Sequence, residues 1–358
     1  MKIGIYSPYP DTLGGGERYI MSAAECLSQS GAEVDVFWDD GEVKEAIAQR
    51  FGLSLEKVNF IKNIFRPEVT PLTKWLVTRK YDAFFFVSDG SLPLLFSKKN
   101  IIHFQVPFKN LNGQGWLNQK KLKKIDLIVC NSKFTKSYVD QEYLVAKKSL
   151  VLYPPVDVAN LKPLNKKKII LSVGRLGEPL HAKKQEVLVR VFRKMLEKNQ
   201  GLTKRWRLVL VGGLKKGDEE FLMALKKEAE GLPVDFHVNL NFSQLQKLYG
   251  ETKIFWHAAG FGEDEKKHPE RMEHFGIVVV EAMAAGCVPV VINRGGIPEI
   301  VSKGKSGLVW ETEEEMIKNT LAVIESEAMF LKLSSQAIKE SKKFSKLAFC
   351  QKIHELVE

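Results

Sequence analysis

At 358 residues, 44% hydrophobic and 27% charged, the chain is longer than one hydrophobic core usually serves and suits two globular domains, with no biased tract that would signal disorder. A formal net charge of +11 invites an anionic partner, but recognition-helix, zinc-finger and aromatic RNA-binding signatures are all missing, so nucleic acid is not expected. Cys26, Cys130, Cys287 and Cys350 are scattered in apolar contexts without a Cys-x-x-Cys pair, which predicts four buried thiols and neither a disulfide framework nor a metal site.

The opening run Met1 to Ile5 is followed by Pro8 and is too short for a signal-peptide core or a membrane span, and no later apolar stretch reaches spanning length, so a cytoplasmic chain is expected. Lys2 to Tyr6, Arg18 to Gln29 and Glu33 to Trp38 read as strand, helix and strand, the grammar of a parallel sheet. Gly14-Gly15-Gly16-Glu17 joins the first strand to the first helix. Three bare glycines there admit a ligand close to the backbone and to the free amides of a helix start, although a flexible turn explains the triplet equally well. Further strands are predicted over 83–87, 100–104, 127–130 and 149–153, and His103 falls at the end of one of them. Lys98, Lys99, Lys109, Lys120, Lys121, Lys123 and Lys124 follow one another with no acidic residue between, a pattern that suits an anionic membrane surface.

Pro154-Pro155 breaks the pattern, and the lysine-rich stretch from Leu161 to Lys168 reads as a linker. Strand and helix then alternate again: strands over 169–173, 206–211, 234–238, 254–257 and 288–292, with helices over 185–199, 218–230, 243–251 and 277–285. The segment 313–358 is helical by pattern. The prediction is two doubly wound α/β domains, 1–162 and 163–340, with a terminal helix over 341–358. Open parallel sheets bind ligands beyond the carboxyl ends of their strands, so two such domains would place a cleft between them.

Two constellations in the second half point to an anionic ligand. Gly174 and Arg175 end the first strand of that domain, with Lys183 and Lys184 just before the next helix, and an arginine fork with a mobile lysine is suited to a diphosphate. Glu273-His274-Phe275-Gly276-Ile277 then leads into an apolar helix whose first amides are free for phosphate. Glu281, inside that helix beside Ala282 to Ala285, requires hydrogen-bond donors if buried, and ribose hydroxyls would serve. His103 and His257 each end a strand. A lone histidine is more often structural than catalytic, and neither has the spacing of a metal site.

These residues, with Asn131-Ser132-Lys133-Phe134-Thr135, Tyr153-Pro154-Pro155-Val156-Asp157 and Gly295-Gly296-Ile297-Pro298-Glu299, resemble the retaining glycosyltransferases of family 4 over nearly the whole chain. The spacing of Glu273 and Glu281 is the most specific feature of the likeness. The resemblance implies the GT-B fold of two Rossmann-like domains and transfer of a hexose from a nucleotide-diphosphate sugar to a glycan or lipid-linked acceptor. It assigns Arg175 and Lys183 to the diphosphate, with Lys184 as the substitute because the loop 177–182 is long. Glu273 would hold the transferred sugar, Glu281 the ribose, and Phe275, Gly276 and Ile277 the sugar and phosphates through their backbone. Leu240 and Asn241 would lie at the base, Gly15, Gly16 and Gly174 at the phosphates, and His103 beside the reacting sugar.

The likeness to mannosyltransferases that extend lipid-linked oligosaccharides makes GDP-mannose the expected donor, with UDP-sugars as the alternative. The protein's own cations would neutralise the leaving group, so no metal or other cofactor is expected. A lipid-linked acceptor would bring the chain to the inner face of a membrane as a peripheral protein. Two rivals remain: a catalytically silent nucleotide-sugar-binding scaffold, and a dinucleotide oxidoreductase, which the missing G-x-G-x-x-G disfavours.

Overall fold

The computed structural model describes residues 1–12, 14–177 and 183–358. The chain divides into two units, Met1–Pro155 with Lys346–Glu358, and Val156–Ser345. The first contains β1 (Lys2–Tyr6), α1 (Gly15–Gln29), β2 (Glu33–Phe37), α2 (Val43–Phe51), β3 (Val58–Ile61), α3 (Pro71–Thr78), β4 (Ala83–Ser88), β5 (Lys99–Phe104), α4 (Trp116–Leu122), β6 (Leu127–Cys130), α5 (Lys133–Tyr143) and β7 (Ser149–Val151). Its seven strands are all parallel, in the order β3-β2-β1-β4-β5-β6-β7.

The sequence of β4, Ala-Phe-Phe-Phe-Val-Ser, is buried throughout because helices cover both faces of the sheet. Its side chains divide by the period of two: Ala83, Phe85 and Val87 join a core with α1 and α2, while Phe84 and Phe86 join another with Leu122 of α4 and Val139 of α5.

The second unit contains β8 (Lys167–Val173), α6 (Gln185–Lys198), α7 (Gln200–Thr203), β9 (Arg207–Gly212), α8 (Glu219–Glu228), β10 (Val234–Val238), α9 (Phe242–Glu251), β11 (Thr252–His257), α10 (Ile277–Ala284), β12 (Val288–Ile292), β13 (Leu308–Trp310), α11 (Glu313–Glu325) and α12 (Glu327–Ser341). Its strands are also parallel, in the order β10-β9-β8-β11-β12-β13. The buried core joins Leu188 and Phe192 of α6 to Trp256 of β11, whose indole N–H donates to Thr320 Oγ1 at 3.0 Å.

The final helix, α13 (Lys346–Glu355), returns to the first unit and packs on α1, adding Phe349 and Ile353 to its core.

Two expectations need correction. The lysine-rich stretch is not a free linker: Leu161 is buried, the Leu164 N–H donates to Gly250 O, and Lys166 Nζ reaches Ala285 O at 2.6 Å, so the units part at Pro155 instead of residue 162. Nor are all four cysteines thiols. Packing of α13 on α1 brings Cys26 and Cys350 to a Cα separation of 5.4 Å, where they form a disulfide; Cys130 and Cys287 remain free and buried. A pairing across 324 residues has no local signature in the sequence. No helix among the described residues is long and apolar enough to cross a membrane.

Candidate functional site

In the second sheet the chain leaves β8 toward β9 on one side and returns as β11 on the other, so the carboxyl ends of β8 and β11 flank a topological switch point, the usual place for a ligand in such folds. Gly174 and Arg175 follow β8, and His257 ends β11. Arg175 is exposed and forms no ion pair among the described residues, whereas its carbonyl is fixed by Gln185 Nε2 at 2.7 Å. A Cβ on Gly174 would come within 2.5 Å of the Lys183 stem, so glycine is what lets that lysine lie across the strand end.

Lys183 Nζ sits 2.6 Å from Glu273 Oε2, and the same oxygen lies 3.1 Å from His257 Nε2. A carboxylate only accepts, so Nε2 carries the imidazole proton. His257 Nδ1 is then a buried lone pair without a partner among the described residues. Burial opposes charge on Glu273, but Lys183 and His257 together outweigh it and hold the carboxyl well below the usual range. Burial likewise lowers the His257 pKa, against the pull of Glu273, so the imidazole is neutral.

Lys184 takes a separate path. At φ 57° it precedes α6 and pairs with Glu263 at 2.8 Å, which also receives Arg271 at 3.0 Å. The two lysines named as substitutes in the sequence thus have different carboxylates. The loop residues 178–182 lie outside the described residues.

Gly276, at φ 106°, caps α10 in the left-handed region that favours glycine. Its own carbonyl receives the N–H groups of Val279 and Val280, and the amides before them open the helix. The segment rests on Gly295 and Gly296: the Gly296 N–H donates to Glu273 O at 2.8 Å, and a Cβ on Gly295 or Gly296 would stand within 2.4 Å of a carbonyl oxygen of Glu273 or His274. Phe275 is buried edge-on to Phe344. Ile277 is half-buried, and Glu281 is buried with the Tyr249 hydroxyl donating to its Oε2 at 3.1 Å. One donor to Glu281 therefore comes from the protein itself.

Leu240 is half-buried beyond β10. Asn241 serves its own helix, its Oδ1 accepting from the Gln244 N–H at 2.9 Å as the N-cap of α9.

Gly15, Gly16 and His103 lie in the first unit. Gly15 and Gly16 form the first turn of α1, and the Glu17 carboxylate reaches back to the Gly14 N–H at 2.8 Å. His103, which the resemblance sets beside the reacting sugar, is fully buried. Tyr19 of α1 stacks on it at 4.0 Å, its Nδ1 donates to Val129 O, and burial pushes its pKa down to about 3. Among the described residues no group of three or more His, Cys, Asp or Glu is arranged to hold a metal ion.

The family profile described as "Glycosyl transferases group 1" matches residues 157–344, more than half of the chain. The chain belongs to the group 1 glycosyl transferases. A second profile, "Glycosyltransferase Family 4", matches residues 13–160 of this transferase-family chain. It is 31% identical over 190 residues to a GDP-Man:Man(3)GlcNAc(2)-PP-Dol alpha-1,2-mannosyltransferase of Xenopus laevis, a match covering 51% of this chain and 36% of the relative. It thus spans little more than a third of that protein's length. A longer match, 24% identical and covering 86% of this chain and 80% of the relative, is to the alpha-1,3/1,6-mannosyltransferase ALG2 of Rhizomucor pusillus.

Solved structures share the fold. A glycosyltransferase from Rickettsia africae superposes with TM-score 0.78 at 18% identity, covering 99% of this chain and 97% of the other. Anabaena Alr3699/HepE, in complex with UDP and glucose, superposes with TM-score 0.73 at 18% identity, covering 99% and 98%. The architecture is therefore GT-B, two Rossmann-like parallel-sheet units.

Proposed function

We propose that the chain transfers mannose from GDP-mannose to a lipid-linked glycan with retention at the anomeric carbon, working as a peripheral protein on the cytoplasmic face of a membrane. The observation that carries this reading is the Lys183, Glu273 and His257 cluster, set at the switch point of the second sheet ahead of the α10 amides. The names of the mannosyltransferase relatives support the choice of donor and acceptor.

In the proposed reaction the bond between the anomeric carbon and the diphosphate oxygen breaks, and the electron pair leaves with the diphosphate. The acceptor oxygen bonds to the same face of the carbon, and its proton passes to the departing diphosphate. Arg175, Lys183 and the amides at Gly276 and Ile277 stabilise that departing charge, the kind of electrostatic contribution that often dominates catalysis. Lys183 would exchange Glu273 for the diphosphate on donor binding, which frees Glu273 to accept hydroxyl protons from the sugar while His257 keeps it in place. Glu281, with Tyr249 on one oxygen, takes the ribose, and the base lies near Leu240 and Asn241. At the start of α1, Gly15 and Gly16 offer bare amides to an anion.

Incubation of the protein with labelled GDP-mannose and a lipid-linked oligosaccharide, followed by α-mannosidase digestion of the product, tests the reading. A labelled α-mannosyl product is expected. GDP binding without hydrolysis or transfer from any nucleotide-sugar would replace the enzyme with a binding scaffold. A larger thermal shift with UDP than with GDP would overturn the choice of base.

A further inference from the structure

The first unit carries an exposed apolar face on the helices that cover its sheet. Helices α3 and α4 and the 91–96 segment cover one side of the seven-stranded sheet: Val77, Leu92, Leu95 and Leu122 pack on the core around Phe84 and Phe86. Helices that already bury one apolar side ordinarily show polar side chains to water. These do not. Leu72, Trp75 and Leu76, at helical spacing on α3, are exposed, as are Leu94, Trp116 and Leu117, with Leu72 at 62% and Trp116 at 65%. The elements are neighbours, because Lys74 of α3, Leu92, Leu94 and Lys121 of α4 line one cavity of about 350 Å³. Large apolar side chains gathered in this way mark an interaction surface, unlike the scattered single residues of ordinary surfaces.

Charge identifies the partner. Between residues 70 and 125 there are ten Lys or Arg and two Asp, so this stretch holds eight of the chain's eleven excess positive charges. Lys120 Nζ lies 4.2 Å from the centre of the Trp116 ring, and the Arg79 guanidinium 4.6 Å from that of Trp75. Lys74 and Lys121 donate to the carbonyls of Arg66 and Leu92, which leaves their charges unneutralised by those contacts. Tryptophan and leucine bordered by cations match the layered chemistry of an anionic bilayer, with an apolar boundary beneath negatively charged headgroups.

We propose that α3, the 91–96 segment and α4 form the surface by which this chain docks on an anionic lipid bilayer. The inference rests on the peripheral-membrane part of the reading above and not on the identity of the sugar. The test is sedimentation of the full chain with phosphatidylcholine vesicles, alone or mixed with phosphatidylglycerol. Binding is expected to the mixed vesicles, falling with salt, together with quenching of tryptophan fluorescence by brominated lipid.

Trp75→Ser with Trp116→Ser should abolish the quenching and release the protein. Lys120→Gln and Lys124→Gln should each weaken binding about fivefold at low salt. All four positions are exposed, and an unchanged calorimetric unfolding profile of the full chain shows that the variants are folded. Equal binding to both vesicle types, or binding that survives the paired tryptophan change, overturns the proposal. So do dimers in sedimentation that the tryptophan changes dissolve without any vesicle binding, which would make the face an interface between two copies. Loss of vesicle binding with transfer to a detergent-dispersed acceptor intact supports the surface. Vesicle binding without transfer from any donor would overturn only the reaction.

Discussion

Replacing Lys183 by methionine removes the cation from Glu273 while keeping the aliphatic stem. Among the described residues, Glu273 would then keep only the neutral His257 as a side-chain partner. The two side chains are 21% and 16% exposed, enclosed enough that solvent does little to replace the lost partner. Loss of one charge-assisted hydrogen bond at such a site costs about 2 kcal/mol. The second unit, Val156–Ser345, is of a size at which about 1 kcal/mol moves Tm by roughly 2–4 °C, so its unfolding should fall by about 4–8 °C in calorimetry.

The sign with pH follows from the depressed carboxyl of Glu273. A carboxyl held low contributes stability above its unfolded pKa, about 4.3, and loses it as pH falls through the lower folded value. The difference between the parent and Lys183→Met should therefore be full at neutral pH and shrink in acid. Adding Glu273→Gln to Lys183→Met removes the abandoned charge and should restore more than half of the loss. A single variant within about 1 °C of the parent, or a double variant no better than the sum of the single changes, would refute the coupling.

Arg175→Ala should leave the melting temperature unchanged, since the side chain is exposed and unpaired among the described residues, while lowering turnover by about 10²–10³-fold in a donor-hydrolysis assay. Gly276→Ala should destabilise the second unit by about 1–2 kcal/mol, because φ is 106° and the new Cβ would meet Ile297 Cδ1 at 2.7 Å; GDP affinity by titration calorimetry should fall with it. Thiol labelling after unfolding without reductant should modify two cysteines, Cys130 and Cys287, and four after reduction. Four labelled cysteines without reductant would remove the Cys26 to Cys350 link.

Much of the architecture could be read from local pattern, because buried parallel strands are short apolar runs set between helices. The strands that pattern reading passed over are the four residues of β3 and the three of β13, one of which is only partly buried and neither of which is long enough to show periodicity. At the site, Glu273, Gly276 and Glu281 were legible because a single segment carries them. Their pairings were not: Lys183, named only for a diphosphate, is 90 residues from Glu273, and Tyr249 is 32 from Glu281. His257 was visible as a strand-end histidine, but only the packing of the 273 loop against β11 gives it a carboxylate.

Asn241 is a different case. The Asn-x-x-Gln spacing of a capping box stood in the sequence, and the side chain that the resemblance placed at a nucleotide base is engaged with the helix start. Gly295 and Gly296 matched a family motif, but their reason, close passage under two carbonyl oxygens, is a three-dimensional fact.

The return of α13 to α1 means that the second unit is, in chain order, an insertion within the first. Because synthesis proceeds from the N-terminus, every strand of the second unit is made before Phe349, Ile353 and the thiol of Cys350 that complete the first. The unit that is translated first is therefore completed last. A variant that lacks α13 would keep every strand of the second unit but leave the N-terminal core with an uncovered apolar helix, a natural substrate for chaperones or proteases.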